Sequence, residues 1–346
     1  MERKILACYT DWNRPGAKGK YGGVGWYRIV NPFTHMDAHV LSGEELGIGG
    51  KERHTNAQKM ADLAKTWVFK YVDDINPVLH LLSARDTVGA KLWIDIDDDM
   101  FHVHPHNYAY NYHYPGSPKN ETLKYLVKEA DGLIVSTEPL REVMKEYNKN
   151  IIVAPNAIDP EIWKVPLEKN TGKRLRIGWI LSANHEQDVP EIRDAMNEIL
   201  RKYNVEFRAI GYYSDDFNVF PKKKRKFVLG TKGYDQYPQF LAKQKLDISI
   251  APLIDDEFNR GKSNIKWMES SMVGVPVVAS DREPYKCIEN AKTGFLAKNK
   301  KEWVKYLSML IEDAEMRKEI AENAKKKVLK DYHIKSIIKH YEGITL

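Results

Sequence analysis

Short β-branched and aliphatic runs alternate along this chain with longer stretches whose apolar positions recur at helical spacing. In the first half the runs predict strands at Lys4–Tyr9, Lys91–Ile96, Gly132–Ser136 and Ile151–Ala154, with helices over Ala57–Tyr71 and Asn120–Glu129. In the second half strands are predicted at Arg176–Ile180, Glu206–Gly211, Ile248–Ala251 and Val275–Ala279. Helices are predicted there over Pro190–Tyr203, Tyr237–Gln244, Lys262–Val273, Lys301–Asp313 and Ala314–Asp331. Strands that alternate with helices in this way predict an α/β fold with parallel sheets. No internal repeat and no long low-complexity segment interrupts the pattern.

The pattern falls into two halves. Pro155-Asn-Ala-Ile-Asp-Pro160 is a turn-rich exit from a strand, the stretch Lys164–Lys173 is polar and holds Pro166 and Gly172, and a new strand begins at Leu175. These features predict domains over residues 1–165 and 174–331. Two α/β halves joined at that point leave a cleft between them. Ligands of such sheets bind beyond the carboxyl ends of the strands.

At 346 residues the chain is long enough for two domains, each burying its own core. No apolar run approaches the roughly 18–20 residues that span a bilayer. Ile5–Tyr9 runs straight into polar residues from Thr10, so the N-terminus reads as a first strand rather than a signal peptide. The two cysteines, Cys8 and Cys287, form no framework and lie in no nucleophile motif, which points to a reducing cytoplasm. Net charge is +6, and part of it is the run Lys222-Lys-Lys-Arg-Lys226. That run reads either as a solvated loop between two elements or as a contact for a polyanion, nucleic acid or an anionic membrane surface.

The stretch from Ile250 to Asp281 carries the most chemistry. A strand ends near Ala251, an acidic loop follows, Gly261 allows close backbone approach, and a helix is predicted from Lys262. A helix start with two lysines and Ser263 nearby is a good cradle for a pyrophosphate. Lys262 and Lys266 are four apart and Glu269 three further on, so on one helix they share a face. A carboxylate at Glu269 suits the two hydroxyls of a ribose.

This segment resembles the donor-binding signature of the GT4-like retaining glycosyltransferases of the GT-B fold. There a glutamate-x7-glutamate pair precedes a Gly-x-Pro-Val-Val strand, here Gly274-Val-Pro-Val-Val278. Glu269 matches the second glutamate, which holds the ribose in the family; Gly261 stands where the first would be. Gly261-Lys-Ser-Asn-Ile-Lys266 resembles a bacterial and phage subgroup with Lys-Ser-x-x-Lys before the glutamate. Agreement extends over most of the chain. The resemblance implies two Rossmann-like domains with parallel sheets facing across a cleft, and a C-terminal segment, residues 332–346, that crosses back to the first domain.

Other stretches supply further candidates. Gly22-Gly-Val-Gly-Trp-Tyr-Arg28 follows the first strand; Gly23 and Gly25 allow a ligand near the backbone, and Arg28 suits a phosphate. A tight structural turn is the competing reading there. Ile177-Gly-Trp-Ile-Leu-Ser-Ala-Asn-His185 resembles the first strand and loop of the family's donor domain, which brings Gly178, Ser182 and His185 toward the diphosphate. Trp93-Ile-Asp-Ile-Asp-Asp-Asp99 ends a strand in acid. Asp97 and Asp99 read as catalytic or acceptor-orienting carboxylates, as a metal-binding Asp-x-Asp pair, or as a solvated strand end or cap. The loop from Phe101 to Tyr114 is dense in histidine and tyrosine. It reads as an aromatic acceptor platform with His102, His104 and Tyr108, joined by Tyr27, or as a packed structural loop; zinc on His102, His104 and His106 is a third reading.

The function implied is transfer of a hexose from a nucleotide sugar, UDP taken over GDP, to an acceptor hydroxyl with retention. No cofactor is required, magnesium being an optional helper. Lys262, Ser263 and Lys266 would stabilise charge growing on the leaving diphosphate. The acceptor is either a glycan or a hydroxymethylated base in DNA, the latter placing a phage-encoded protein in the host cytoplasm. A sugar-nucleotide epimerase and a non-catalytic nucleotide-sugar-binding protein are the alternatives from other classes.

Overall fold

In the computed structural model, residues 4–9, 22–43, 45–46, 57–166, 168–211, 215–230 and 233–344 are described. The polar stretch that follows the first strand, from Thr10 onward, lies outside them. The first sheet holds β1 (Ile5–Tyr9), β2 (Ala38–Ser42), β3 (Thr66–Lys70), β4 (Lys91–Ile96), β5 (Gly132–Val135) and β6 (Ile151–Val153). Its order is β2-β1-β3-β4-β5-β6, parallel throughout. The second holds β7 (Leu175–Leu181), β8 (Val205–Gly211), β9 (Arg225–Leu229), β10 (Ile248–Ala251), β11 (Val277–Ser280) and β12 (Phe295–Ala297). Its order is β12-β11-β10-β7-β8-β9, again all parallel. Counted from its own first strand, the second sheet runs 3-2-1-4-5-6, the order of dinucleotide-binding folds, with its switch point between β7 and β10.

Helices cover both sheets because their apolar stripes match the sheet faces. Val189–Lys202 buries Val189, Ile192, Ala195, Met196, Ile199 and Leu200, one face at helical spacing, against the second core. The last helical turns leave the second domain. Ile158 bridges His333, and Ile334, Ile337, Tyr341 and Ile344 pack with Ile5, Ala7, Ile29 and Phe33 of the first domain. Trp163, in the connecting segment, packs with Tyr234, Leu241 and Trp267 of the second domain. Among the described residues no helix is long and apolar enough to cross a membrane.

Several expectations change. Ala57–Tyr71 is not one helix: a helix occupies Ala57–Leu63 and β3 occupies Thr66–Lys70. All five residues of β3 are buried, so it shows no alternation to mark it as a strand. The helix predicted from Lys262 starts at Ile265, preceded by a short turn of helix at Glu257–Arg260. Lys262 and Ser263 therefore lie between two helices and do not share one with Lys266. Part of the basic run belongs to β9, and Lys224 turns inward to donate to the carbonyls of Leu200 and Tyr203, near the end of Val189–Lys202.

Candidate active site

The two sheets meet at their carboxyl ends, and side chains from both sides bridge the cleft. Thr137 Oγ1, after β5, donates to the Gly261 carbonyl at 2.8 Å. Asn156 Nδ2, after β6, donates to Ser263 Oγ at 2.9 Å. Lys262 Nζ lies 3.8 Å from Asp98 Oδ1, after β4, and 4.4 Å from the centre of the Phe258 ring. Phe258 itself packs into the core of the first domain. The loop 256–264 is thus clamped against the first sheet. A Cβ at Gly261 would stand 3.4 Å from Asp99 Cβ and 3.7 Å from Leu140 Cδ1, in ordinary contact with the first domain, so only a longer side chain would meet it.

Glu269 lies on the helix Ile265–Met272 and is buried. Its Oε1 accepts from the hydroxyl of Tyr27 at 3.0 Å and of Tyr234 at 3.3 Å, and its Oε2 from Tyr237 at 3.1 Å. Tyr27 and Tyr234 also touch each other through their hydroxyls. Burial pushes Glu269 up to about 7, against the pull of Tyr27 and Lys266. Burial and the charge of Glu269 hold Tyr27 and Tyr237 protonated, as donors. The rings of Trp26, Tyr234 and Tyr237 stack, with centroid separations of 5.4 and 5.3 Å.

Beside Glu269 runs a second chain of contacts. Lys266 Nζ is 2.7 Å from His185 Nε2, and His185 Nδ1 is 2.7 Å from Asp188 Oδ2. His185 and Asp188 sit in the turn after β7, at the switch point. Burial, with Lys262 beside it, pulls Lys266 down to about 8. Burial and the two lysines hold His185 well below its ordinary range, so the ring is neutral. Ser182, which caps this turn, is exposed.

Not every candidate reaches the cleft. Arg28 is fully buried in the first domain, where it holds Asp95 through Nε (3.1 and 3.2 Å) and Nη2 (2.7 Å), and Asn156 and the Ala154 carbonyl through Nη1. Four of its five N–H donors are taken up inside the first domain, which corrects its reading as a phosphate ligand. It sits with Tyr27 on a π-helical turn, Trp26–Val30, that sends Tyr27 to the second domain and Arg28 back into the first. Gly178 is a packing residue: a Cβ there would meet Leu246 Cδ1 at 2.4 Å, within the sheet rather than at its end. Gly23 is exposed with open space around it, while Gly25 is buried.

The acidic strand end divides. Asp97 pairs with Lys70 at 2.5 Å, and Lys70 draws its carboxyl below the ordinary range against the effect of burial. Asp99 is fully buried and caps its own loop, accepting from Phe101 N at 3.1 Å and lying 2.8 Å from His102 Nδ1. It is therefore the cap among the readings offered for it. Asp98, passed over in the sequence, is the carboxylate that faces Lys262. His102 also approaches Glu257 of the second domain at 3.8 Å, and His104 Nδ1 accepts from His106 N at 3.1 Å. Tyr108 is about half exposed, its hydroxyl 3.4 Å from that of Tyr112. Tyr27 belongs to the Glu269 cluster, not to this loop. Among the described residues no group of three His, Cys, Asp or Glu side chains is arranged to hold a metal ion. Asp188, Tyr234 and Tyr237 also escaped the sequence reading; an aromatic pair at i and i+3 at the start of a helix was the signal available for the two tyrosines.

Solved structures with the same arrangement decide what the fold is. Sucrose-phosphate synthase (tll1590) from Thermosynechococcus elongatus superposes with a TM-score of 0.68 at 11% identity, over 98% of each chain. The fold is GT-B. Anabaena Alr3699/HepE, in complex with UDP and glucose, matches this GT-B chain with a TM-score of 0.68 at 14% identity, over 98% of each chain. S. aureus TarM, in a variant complexed with fondaparinux, alpha-GlcNAc-glycerol and UDP, matches with a TM-score of 0.58 at 14% identity. That match covers 81% of this chain, which spans only 55% of TarM. Residues 191–343 match a family profile described as glycosyl transferase-like. No curated protein matches the sequence.

Proposed function

We propose that this GT-B protein transfers a sugar from a UDP-sugar to the hydroxyl of a glycan acceptor, with retention of configuration. One observation carries the reading. At the switch point of a sheet with dinucleotide-binding order, a buried carboxylate that accepts from the Tyr27 and Tyr237 hydroxyls feels the charge of Lys266, which in turn lies beside Lys262. A ribose presents the same hydroxyl donors to Glu269, and a diphosphate presents the charge that Lys262 and Lys266 meet. Support comes from the family profile over residues 191–343 and from structural neighbours whose names include bound UDP or UDP-glucose.

Ser263, His185 and Ser182 complete the diphosphate side in this reading, with the backbone at Gly23 and Gly25 across the cleft. Lys262 and Lys266 place two positive charges where other transferases use a metal, so magnesium is dispensable. The leaving diphosphate takes the acceptor proton on the face from which it departs, and no protein nucleophile is needed. Asp97, held ionised by Lys70, orients the acceptor with His102, His104 and Tyr108. Closure of the cleft keeps water from the donor.

The basic run does not serve this cleft. It lies at the amino end of β9, an edge strand of a parallel sheet whose carboxyl ends face the cleft. That puts it roughly 10 Å or more along the strand from the carboxyl end, at about 3.3 Å per residue. A glycan is therefore preferred to modified DNA as acceptor. Incubation with UDP-sugars and either glycan or hydroxymethylated DNA tests this. An α-linked glycan product from an α-linked donor, read by proton NMR, supports the proposal. Free sugar alone, an isomerised donor or glycosylated DNA contradicts it.

A further inference from the structure

We propose that Asp188 is a positioning residue that acts through His185 to hold the Lys266 ammonium at the cleft; this rests on the donor-site reading above. The chain is short at both joints, 2.7 Å from Asp188 to His185 and 2.7 Å from His185 to Lys266. It links a turn after β7 to a helix 81 residues later in sequence.

With Asp188 ionised and Lys266 charged, hydrogen-bond chemistry assigns every proton in the chain. An ammonium only donates, so His185 Nε2 must be the acceptor toward Lys266. A neutral ring that accepts at Nε2 carries its proton on Nδ1 and donates it to Asp188 Oδ2. The other carboxylate oxygen, Oδ1, accepts from Ile254 N at 2.9 Å and from Asn259 Nδ2 at 3.0 Å. Those two donors fix the rotation of the carboxylate. Asp188 thus sets the tautomer, and the tautomer decides whether Lys266 meets an acceptor or a second donor. It is buried, so no solvent molecule substitutes for it readily.

These constraints make Asp188→Asn a sharp probe. Ile254 N and Asn259 Nδ2 still require an acceptor at Oδ1, so the amide oxygen must stay there and its NH2 must face His185. Nδ1 then becomes the acceptor, the ring proton moves to Nε2, and an N–H points at the Lys266 ammonium. The fold keeps its hydrogen bonds while Lys266 is turned away. His185→Gln is the conservative counterpart: its Oε1 accepts from Lys266 and its Nε2–H donates to Asp188.

The experiment uses the full chain with UDP as probe. Histidine-selective 15N NMR reads the His185 tautomer, and calorimetry reads UDP affinity, in the wild type, Asp188→Asn and His185→Gln. Expected are an Nδ1–H ring in the wild type, an Nε2–H ring in Asp188→Asn, about a tenfold loss of UDP affinity in that variant, and a smaller loss in His185→Gln, which keeps an acceptor toward Lys266. An Nε2–H ring in the wild type, or unchanged affinity in Asp188→Asn, overturns the proposal. Failure of the wild type to bind UDP overturns the donor-site reading instead, and the tautomers in the same samples still decide whether Asp188 sets His185.

Discussion

The Tyr27 hydroxyl donates to Glu269 Oε1 at 3.0 Å across the cleft, from the first domain to the carboxylate expected to hold the donor ribose. If Glu269 holds the donor ribose as proposed, Tyr27 of the first domain competes for the same carboxylate oxygen. A ribose hydroxyl must displace this contact. Tyr27→Phe removes the competitor while keeping the ring that packs edge-on to Tyr234. UDP affinity rises in this variant, by up to about tenfold, which corresponds to roughly 1.4 kcal/mol and is within the range for one hydrogen bond to a charged group. Calorimetry checks it; a loss of affinity would instead make Tyr27 a donor ligand.

A bell-shaped pH profile of kcat/KM for the donor is expected, measured as initial rates of sugar transfer across pH 5 to 10. That ratio reports groups of the free enzyme. Glu269 stands at about 7 and must ionise to accept two hydroxyls, so activity rises with pH through that value. Asp188, also pushed up to about 7 by burial, titrates on the same limb. Lys266 stands at about 8 and loses its charge above it, so activity falls there. Lys266→Arg keeps a charge at every accessible pH and removes the alkaline limb while lowering the maximum. An alkaline limb that persists in Lys266→Arg belongs to another group.

Glu269 also makes the donor-free protein sensitive to pH. Its carboxyl is raised in the folded state, so that state binds more protons than the unfolded chain between about 4.5 and 7. The contribution of this group to stability therefore falls as pH rises through that window and levels off above it. Glu269→Gln reduces the slope, measured as Tm against pH from 4.5 to 8.

Arg28 separates structure from donor binding. Arg28→Ala leaves Asp95 fully buried with Lys70 as its remaining cation, at 3.9 Å. A loss of about 3–5 kcal/mol in unfolding free energy is expected, measured by urea denaturation. A variant of normal stability but weakened UDP binding would return Arg28 to the donor.

Gly261 stands where the donor-binding signature that this segment resembles has its first glutamate. Its backbone is unstrained (φ −75°), so the obstacle to a side chain is the first domain itself. Gly261→Glu drives a carboxylate toward Asp99 and Leu140 and holds the cleft open. X-ray scattering then shows a larger radius of gyration, and transfer falls about tenfold or more, the scale of a burial defect of 1–3 kcal/mol. A gain of transfer would mean that the working cleft is wider than the one seen.

Regular elements with a clear period were legible in the chain itself. Lys91–Ile96, Ile248–Ala251 and Ala314–Asp331 stand at the residues the pattern predicts. Elements failed where the pattern had a reason to vanish. β3 is buried on both faces, β2 and β9 are edge strands carrying His39 and a basic run, and β12 has only three residues. Glu269 and Lys266 were marked by local spacing, and the turn holding His185 by family resemblance alone. Asp188, three positions from His185, was overlooked although it lay close by. The distant partners were not marked, because Tyr27 and Asp98 reach the site only through the fold. Arg28 was misread for the same reason: nothing near it in sequence announces Asp95, 67 positions away.

The central claim is that residues 262–269 hold a nucleotide sugar. Calorimetric titration of the full chain with UDP-, GDP-, TDP- and ADP-glucose, repeated on Lys262→Ala and Glu269→Gln, tests it most directly. The account predicts saturable binding of UDP-glucose above the others, weakened about tenfold or more in both variants. A folded wild type that binds none of the four, or variants that bind as well as the wild type, would contradict it.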